Sequence, residues 1–457
     1  MSNKHIKDAI DSRLCGVRYD TQKALQAAYR AKKPTLKVIP FKRIISVAAA
    51  CCVMLTCSVA ALASPSLSGL VSLLGQNIMD MVQPVVQQCD SSDVRMEVLA
   101  AMNDDDAVVI YMTLQDLKGK RIDAETELYD IAIDGIVFPR TEVIHYDEAS
   151  RTATLRVTGT GGEKLDGQKI TLSLNTILTG ASQQLNIDTG YTAADIAANS
   201  NARALHYPND ISEVSGNEYY DTMHTQINNK NYPVLMPEQS IFRIPSAPWT
   251  YLSGYGIVNN TLRLQQNPDD DMGRYNTLYF SFSDESGEAL SALPSGCVSF
   301  GKVIEADEWH RYADYKEEVF ALPEGTDLSK LHLLANTRTY AEKIVGEWET
   351  SFVLQSVTAE KTASCIINMN PWEITSVSVS PIGVTVKGHG QMFDYSESPN
   401  VTARRLDGTE IAFVSSSCTV NYEGDTEAIT IKNAFAIPIE VSEVASVRIN
   451  GVDIAIK

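Results

Sequence analysis

Apolar residues are not spread evenly along this chain; their spacing changes three times. Ile6, Ala9, Ile10, Leu14 and Val17 recur at helical spacing. Gly16 interrupts them, Asp20 can cap a second helix carrying Ala24, Leu25, Ala28 and Tyr29, and Pro34 ends it. Residues 44–63, IISVAAACCVMLTCSVAALA, form an unbroken run of twenty residues without a charge. As a helix rising about 1.5 Å per residue, such a run covers roughly 30 Å, the depth of a bilayer core. Leu67, Leu70, Val71, Leu74, Ile78, Met81, Val82 and Val85 return to helical spacing, predicting one amphipathic helix over 66–88 that rests on the β domain or the membrane surface, its lack of basic residues favouring protein.

From Val94 the period becomes two. Val94, Met96 and Val98 alternate with Arg95 and Glu97; Ala153, Leu155 and Val157 alternate with Thr152, Thr154 and Arg156; Ile170, Leu172 and Leu174 alternate with Thr171 and Ser173. Ala107–Leu114 is apolar throughout except at Thr113, as an inner strand is. Residues 181–240 are polar with weak periodicity. Strand patterns resume at Gly254–Leu264, Thr277–Phe282, Glu317–Leu322 and Trp348–Leu354, and a last module opens near Pro371. There Val377, Val379, Ile382, Val384 and Val386 lie in strand-like runs, and Asn450-Gly451 separates two alternating runs as a type I′ hairpin turn does.

The predicted fold is mainly β: tandem antiparallel β-sandwich (Ig-like) extracellular domains behind a short helical cytoplasmic tail and one transmembrane helix. The expected boundaries are a basic helical tail at 1–43, the spanning helix at 44–63 and a helical connector at 64–92. A first β domain follows at 93–180, a polar linker or insertion at 181–240, a second sandwich at 241–360 and an Ig-like domain at 371–457. A chain of 457 residues is long enough for several cores, and 44% hydrophobic residues argue against disorder in the bulk of it.

Charge fixes the orientation of this layout. Residues 1–43 hold eleven basic and three acidic residues, +8, which leaves −27 for the rest of a chain whose net charge is −19. Lys42 and Arg43 close one end of the apolar run, and no Lys or Arg follows until Arg95. That imbalance predicts a cytoplasmic N-terminus. Ala61-Leu62-Ala63 fits a small-residue cleavage site, but the run exceeds a signal-peptide h-region and the tail exceeds an n-region. An acidic outer region argues against direct nucleic-acid binding.

Recognisable chemistry is sparse. No CxxC pair exists, and His5 with Cys15 is not a zinc site. Cys89, Cys297, Cys365 and Cys418 are scattered, and their pairing stays open. Gly159–Lys164, GTGGEK, lacks phosphate-loop spacing and reads as a turn; Asp104–Asp106 and Asp269–Asp271 lack the spaced ligands of a calcium loop and read as solvated turns. Asp307, Glu308, Trp309 and His310 have acid–base residue types without a second cluster and read as a surface loop. Tyr219, Tyr220, Tyr232, Trp249, Tyr251 and Tyr255 form an aromatic-rich zone, read as packing of the sandwich, with an envelope glycan or peptide as the competing ligand. HExxH and GxSxG are absent; no catalytic, cofactor or metal residue is expected.

Met96–Asp130, MEVLAAMNDDDAVVIYMTLQDLKGKRIDAETELYD, resembles the opening strands of domain-of-unknown-function family 4179, found in single-pass proteins of Gram-positive bacteria. Gly254–Asn267, the stretch from Phe320-Ala321-Leu322-Pro323 to Gly346–Phe352, and the tail Asp8–Lys33 look like the same proteins. The resemblance implies an anti-sigma-factor-like membrane regulator and carries no catalytic residues. A tail too short for a core of its own needs a partner for its apolar sides. Those sides can also stay partly disordered or lie on the membrane surface; for the regulator that the resemblance implies, Ile6, Ile10, Leu14, Leu25 and Tyr29 are the expected contacts with a sigma factor. The alternative is a membrane-anchored envelope interaction protein with no sigma partner.

Overall fold

The computed structural model describes residues 65–456, apart from positions 105, 137–138, 161–164, 199–204, 209, 212, 217–231, 239–240, 269–271, 288–292, 294, 303, 306–310, 358, 391–397 and 424–425. The expected tail and spanning helix lie outside the described residues. Among those described, no helix is long and apolar enough to cross a membrane. The described chain is mainly β, in antiparallel sheets, and forms two compact units: residues 181–341, and the segments on either side of them.

Helix α1 (Pro65–Leu74) buries Leu67 and Leu70, one turn apart on one face. The helix predicted over 66–88 does not continue. Gly75 takes φ +84°, a left-handed geometry that breaks the helical ladder; α2 (Gln76–Met79) is a single turn, and the chain is a strand from Gln83. Val85 therefore packs from a strand and not from a helix.

Eight strands follow: β1 (Gln83–Ser91), β2 (Val94–Asn103), β3 (Ala107–Asp116), β4 (Glu127–Leu128), β5 (Ala132–Ile133), β6 (Arg140–Asp147), β7 (Thr152–Thr160) and β8 (Lys169–Thr179). One sheet has the order β1-β2-β3-β7-β6. The apolar run at Ala107–Leu114 is its central strand, buried on both faces. Facing it, β8 pairs with β4, with β5 and with β21 (Glu342–Val353). Between the two sheets lie Met96, Ile110, Met112, Leu155, Leu172, Leu174, Trp348 and Phe352.

The partner of β8 thus arrives after the whole of 181–341. Thr179 stands opposite Glu342, and Ser182 opposite Thr339, so the inserted unit leaves and rejoins through adjacent strands. One expected boundary is corrected by this pairing. Residues 342–353 do not belong to a second domain at 241–360, because Trp348 is buried in the first sandwich and its indole N–H donates to the Val94 carbonyl at 2.9 Å. Of the two readings of 181–240, linker or insertion, the second fits: the inserted unit starts there with β9 (Ser182–Thr192), an edge strand whose exposed residues hid its period.

The inserted unit continues through α3 (Ala193–Ala198), β10 (Leu205–His206), β11 (Glu213–Gly216), β12 (Val234–Leu235), β13 (Thr250–Val258), β14 (Thr261–Pro268), β15 (Thr277–Ser283), β16 (Ser295–Phe300), β17 (Ile304–Glu305), β18 (Arg311–Tyr312), β19 (Tyr315–Ala321) and β20 (His332–Thr339). A five-stranded sheet, β11-β16-β19-β14-β13, packs on the sheet β15-β20-β9 around Leu262, Leu264, Phe280, Phe282, Phe320 and Leu333. Gly254–Leu264, one pattern in sequence, is a hairpin turned at Asn259 and Asn260, both with positive φ.

The C-terminal sandwich has β22 (Lys361–Asn368), β23 (Trp372–Val379), β24 (Gly383–Gly390), β25 (Val401–Arg405), β26 (Glu410–Ile411), β27 (Phe413–Glu423), β28 (Thr426–Phe435), β29 (Val444–Ile449) and β30 (Val452–Ala455). Sheets β22-β23-β24-β28-β27 and β26-β25-β29-β30 enclose Trp372, Val377, Val386, Ile431, Phe435 and Val447. Asn450 (φ +47°) and Gly451 (φ +88°) make the predicted β29–β30 turn.

Candidate functional site

The first and C-terminal sandwiches meet at a part-apolar, part-ionic junction. Leu67 and Leu70 of α1 share one buried cluster with Leu99, Met102 and Tyr111 of the first sandwich and Ile382 of the C-terminal one. Beside it lies the β2–β3 turn. Asp104 and Asp106, expected in a solvated turn, are partnered instead. Lys432 on β28 is 2% exposed and its Nζ lies 2.5 Å from Asp104 Oδ2. Ser380 Oγ also donates to Oδ2, while the backbone N–H groups of Asp106 and Ala107 donate to Oδ1 at 3.2 and 2.9 Å. Thr385, directly opposite Lys432 on β24, accepts from Nζ at 3.1 Å and donates to Asp106 Oδ2 at 3.0 Å. Arg140 adds a hydrogen bond to the Val414 carbonyl at 2.8 Å. The sequence hid this group because Lys432 occupies the polar alternation of a strand; only the neighbouring sandwich makes that face interior.

A second buried polar group lies within the inserted unit. Arg263 Nη1 meets Glu317 Oε1 at 2.9 Å and also donates to the Pro233 carbonyl, with its guanidinium over the Tyr232 ring. Glu317 Oε2 accepts from the Leu235 N–H and from Gln265 at 2.8 and 3.0 Å. These contacts fasten Tyr232–Leu235 over the sheet, beside Val214, Val298, Phe300 and Val319. On the opposite face of β19, Glu318 accepts from Gln266 and the Phe280 N–H, with Lys316 3.6 Å away. Burial pushes both carboxyls upward against the pull of Arg263 and Lys316. Both carboxylates are buried and accept from internal donors.

Of the aromatic zone, the described Tyr232, Trp249 and Tyr255 pack. Tyr232 is buried; Trp249 and Tyr255 lie against the sandwich core; Tyr255 contacts Phe242, which meets Tyr191 edge-on at 4.9 Å. Tyr251 donates to Glu238 at 2.9 Å. Tyr219, Tyr220, Asp269–Asp271, Asp307–His310 and Gly161–Lys164 lie outside the described residues, as do Ile6, Ile10, Leu14, Leu25 and Tyr29. Among the described residues no group of three or more His, Cys, Asp or Glu could hold a metal ion. Cys89, Cys297, Cys365 and Cys418 form no disulfide. Burial raises the Cys89 and Cys365 thiols and pushes Cys418 up to about 12.

Asp116, at the end of β3, was not singled out by sequence. Burial raises its carboxyl, but hydrogen bonds from the Arg121 side chain and from the N–H groups of Arg121, Gly119 and Lys118 outweigh burial and hold it well below the ordinary range. These bonds close the turn that follows β3.

Comparison with known proteins adds little to these sites. No family model matches the chain, and no curated protein does. A crystal structure of a conserved domain protein from Bacillus anthracis aligns over 82% of this chain and 78% of its own length, at 7% identity and a TM-score of 0.31, a likeness too low to carry any argument.

Proposed function

We propose that this chain is a single-pass membrane regulator: the basic tail lies in the cytoplasm and restrains a sigma factor, residues 44–63 span the bilayer, and the β units sense or bind at the envelope as immunoglobulin-like modules. The observation that carries the reading is the charge step across the apolar run, +8 before it and no basic residue after it until Arg95. The resemblance of Met96–Asp130 and Asp8–Lys33 to family 4179 points the same way. Helix α1 begins two residues beyond the run, and its Leu67 and Leu70 share one buried cluster with residues of both sandwiches of its unit.

The tail is the part to test. A peptide of residues 1–33 should capture a sigma factor through Ile6, Ile10, Leu14, Leu25 and Tyr29. Ile10→Asp with Leu14→Asp should abolish capture and raise transcription of that factor's target genes. Lys32→Gln with Lys33→Gln should weaken contact with anionic lipid and leave capture in place. A tail that captures no sigma factor, and whose deletion leaves transcription unchanged, would leave the anchored envelope interaction protein as the better account.

A further inference from the structure

The geometry points to a self-formed amide cross-link between Lys432 and Asp104, covalently joining the C-terminal sandwich to the first. The two residues are 328 positions apart in sequence, and the lysine nitrogen lies 2.5 Å from a carboxylate oxygen. Their side chains are 3% and 6% exposed. A buried ion pair carries a large desolvation penalty, which direct attraction offsets only in part. Condensation removes both charges at once and releases one water.

The surrounding groups match the needs of that reaction. The ammonium passes a proton across the short contact to Oδ2, giving a neutral amine and a carboxylic acid. The Nζ lone pair then adds to the Asp104 carboxyl carbon. Negative charge develops on Oδ1, where the N–H groups of Ala107 and Asp106 already point, as the donors of an oxyanion hole do. Ser380 Oγ donates to Oδ2 and steadies the oxygen that departs. The second proton leaves Nζ through the Thr385 hydroxyl to Asp106, along contacts of 3.1 and 3.0 Å, and is returned to the leaving hydroxyl. The C–N bond forms, the C–Oδ2 bond breaks, and water carries away Oδ2 with the two protons that nitrogen gave up. No oxidant, reductant or second substrate is needed. Strand pairing holds the reacting groups: Thr385 and Lys432 face each other across β24 and β28, and Asp104 is pinned in the β2–β3 turn. Such preorganisation supplies the high effective concentration that amide formation requires in the absence of an activated acyl group.

A cross-link here would close a loop across most of the described chain and keep the two sandwiches together under a pull that separates non-covalent neighbours. It stands independently of what the tail binds.

Intact-mass spectrometry of the full chain, purified in detergent and denatured, tests this directly. The expected mass is that of the sequence less one water, and protease digestion should yield one branched peptide containing Asp104 and Lys432. Lys432→Arg and Asp104→Ala should each restore the full sequence mass. Thr385→Val and Asp106→Asn keep the lysine and its target carboxylate and should slow the loss of water in a time course after synthesis. A folded wild-type chain with full sequence mass overturns the proposal and leaves an ion pair. A water loss that maps elsewhere, such as a succinimide at Asp407-Gly408, overturns it equally.

Discussion

Replacing Gly180–Ala341 by the dipeptide Asn-Gly should leave the remaining unit folded with nearly unchanged stability. Thr179 and Glu342 are directly paired, and a two-residue type I′ turn spans such a pair. The new asparagine N–H can take over the donation that Gly180 makes to Asp123 at 2.7 Å. None of the residues that fill the first sandwich lies in the deleted segment. Two terms set the magnitude. If the segment behaved as a flexible loop of about 160 residues, shortening it to two would remove a closure penalty of about 4 kcal/mol, from three-halves RT times the logarithm of the length ratio. The ends of the inserted unit are instead held together by its own β9–β20 ladder, Ser182 opposite Thr339, so that penalty is met inside the insert. The net change should therefore stay within about 1 kcal/mol, the size of a typical single substitution. Guanidinium unfolding of residues 65–457, with and without the deletion, measures it. Trp249→Phe and Trp309→Phe in the parent leave the signal to Trp348 and Trp372, which sit in the two retained cores. A gain near 4 kcal/mol would show that the insert does not hold its own ends; a loss above about 3 kcal/mol, on the scale of a broken core contact, would show that it supplies packing to its host.

Three further outcomes are expected. Glu317→Gln should destabilise the inserted unit by about 3–5 kcal/mol, because Arg263 is left buried without its anion; Arg263→Met combined with Glu317→Leu should cost less than either single change. Faster hydrogen exchange at the Leu235 amide would localise the effect, and protection unchanged from wild type would sink it. Asp116→Asn should cost about 2 kcal/mol at neutral pH, the worth of hydrogen bonds to a charged group. Since folding lowers this carboxyl's pKa, its contribution is complete above the unfolded value of about 3.9 and fades as pH falls through the folded one. The deficit should therefore narrow in acid unfolding series below about pH 4; a deficit independent of pH would contradict the assignment. Cys418, with a thiol pushed up to about 12, should resist maleimide at pH 8, where only roughly one molecule in ten thousand carries a thiolate, and react once urea exposes it. Equal labelling rates in the two conditions would contradict the partial burial of this thiol.

Local pattern was readable from the sequence and long-range pairing was not. Val94–Val98 and Ile170–Leu174 alternate because one face is more deeply buried than the other, Ala153–Val157 alternates in polarity although both its faces are buried, and Asn450-Gly451 turns the chain because both positions accept positive φ. The period of β21 says that it has an apolar side, yet nothing in it names β8 as the partner across the insertion. The helical spacing over 66–88 outlasted the helix because Gly75 ends the ladder while later residues keep their burial in strand form. The Lys432–Asp104 group was illegible for a related reason: a lysine at the polar position of a strand looks solvent-facing until a second sandwich covers it.

Protease treatment of intact cells carrying a chain tagged at both ends is the most direct test of the membrane arrangement. The account predicts that an N-terminal epitope survives until the cells are lysed, while a C-terminal epitope following the β units is lost from intact cells. Survival of the C-terminal epitope together with loss of the N-terminal one, or protection of both under conditions that digest a known surface protein, would contradict it.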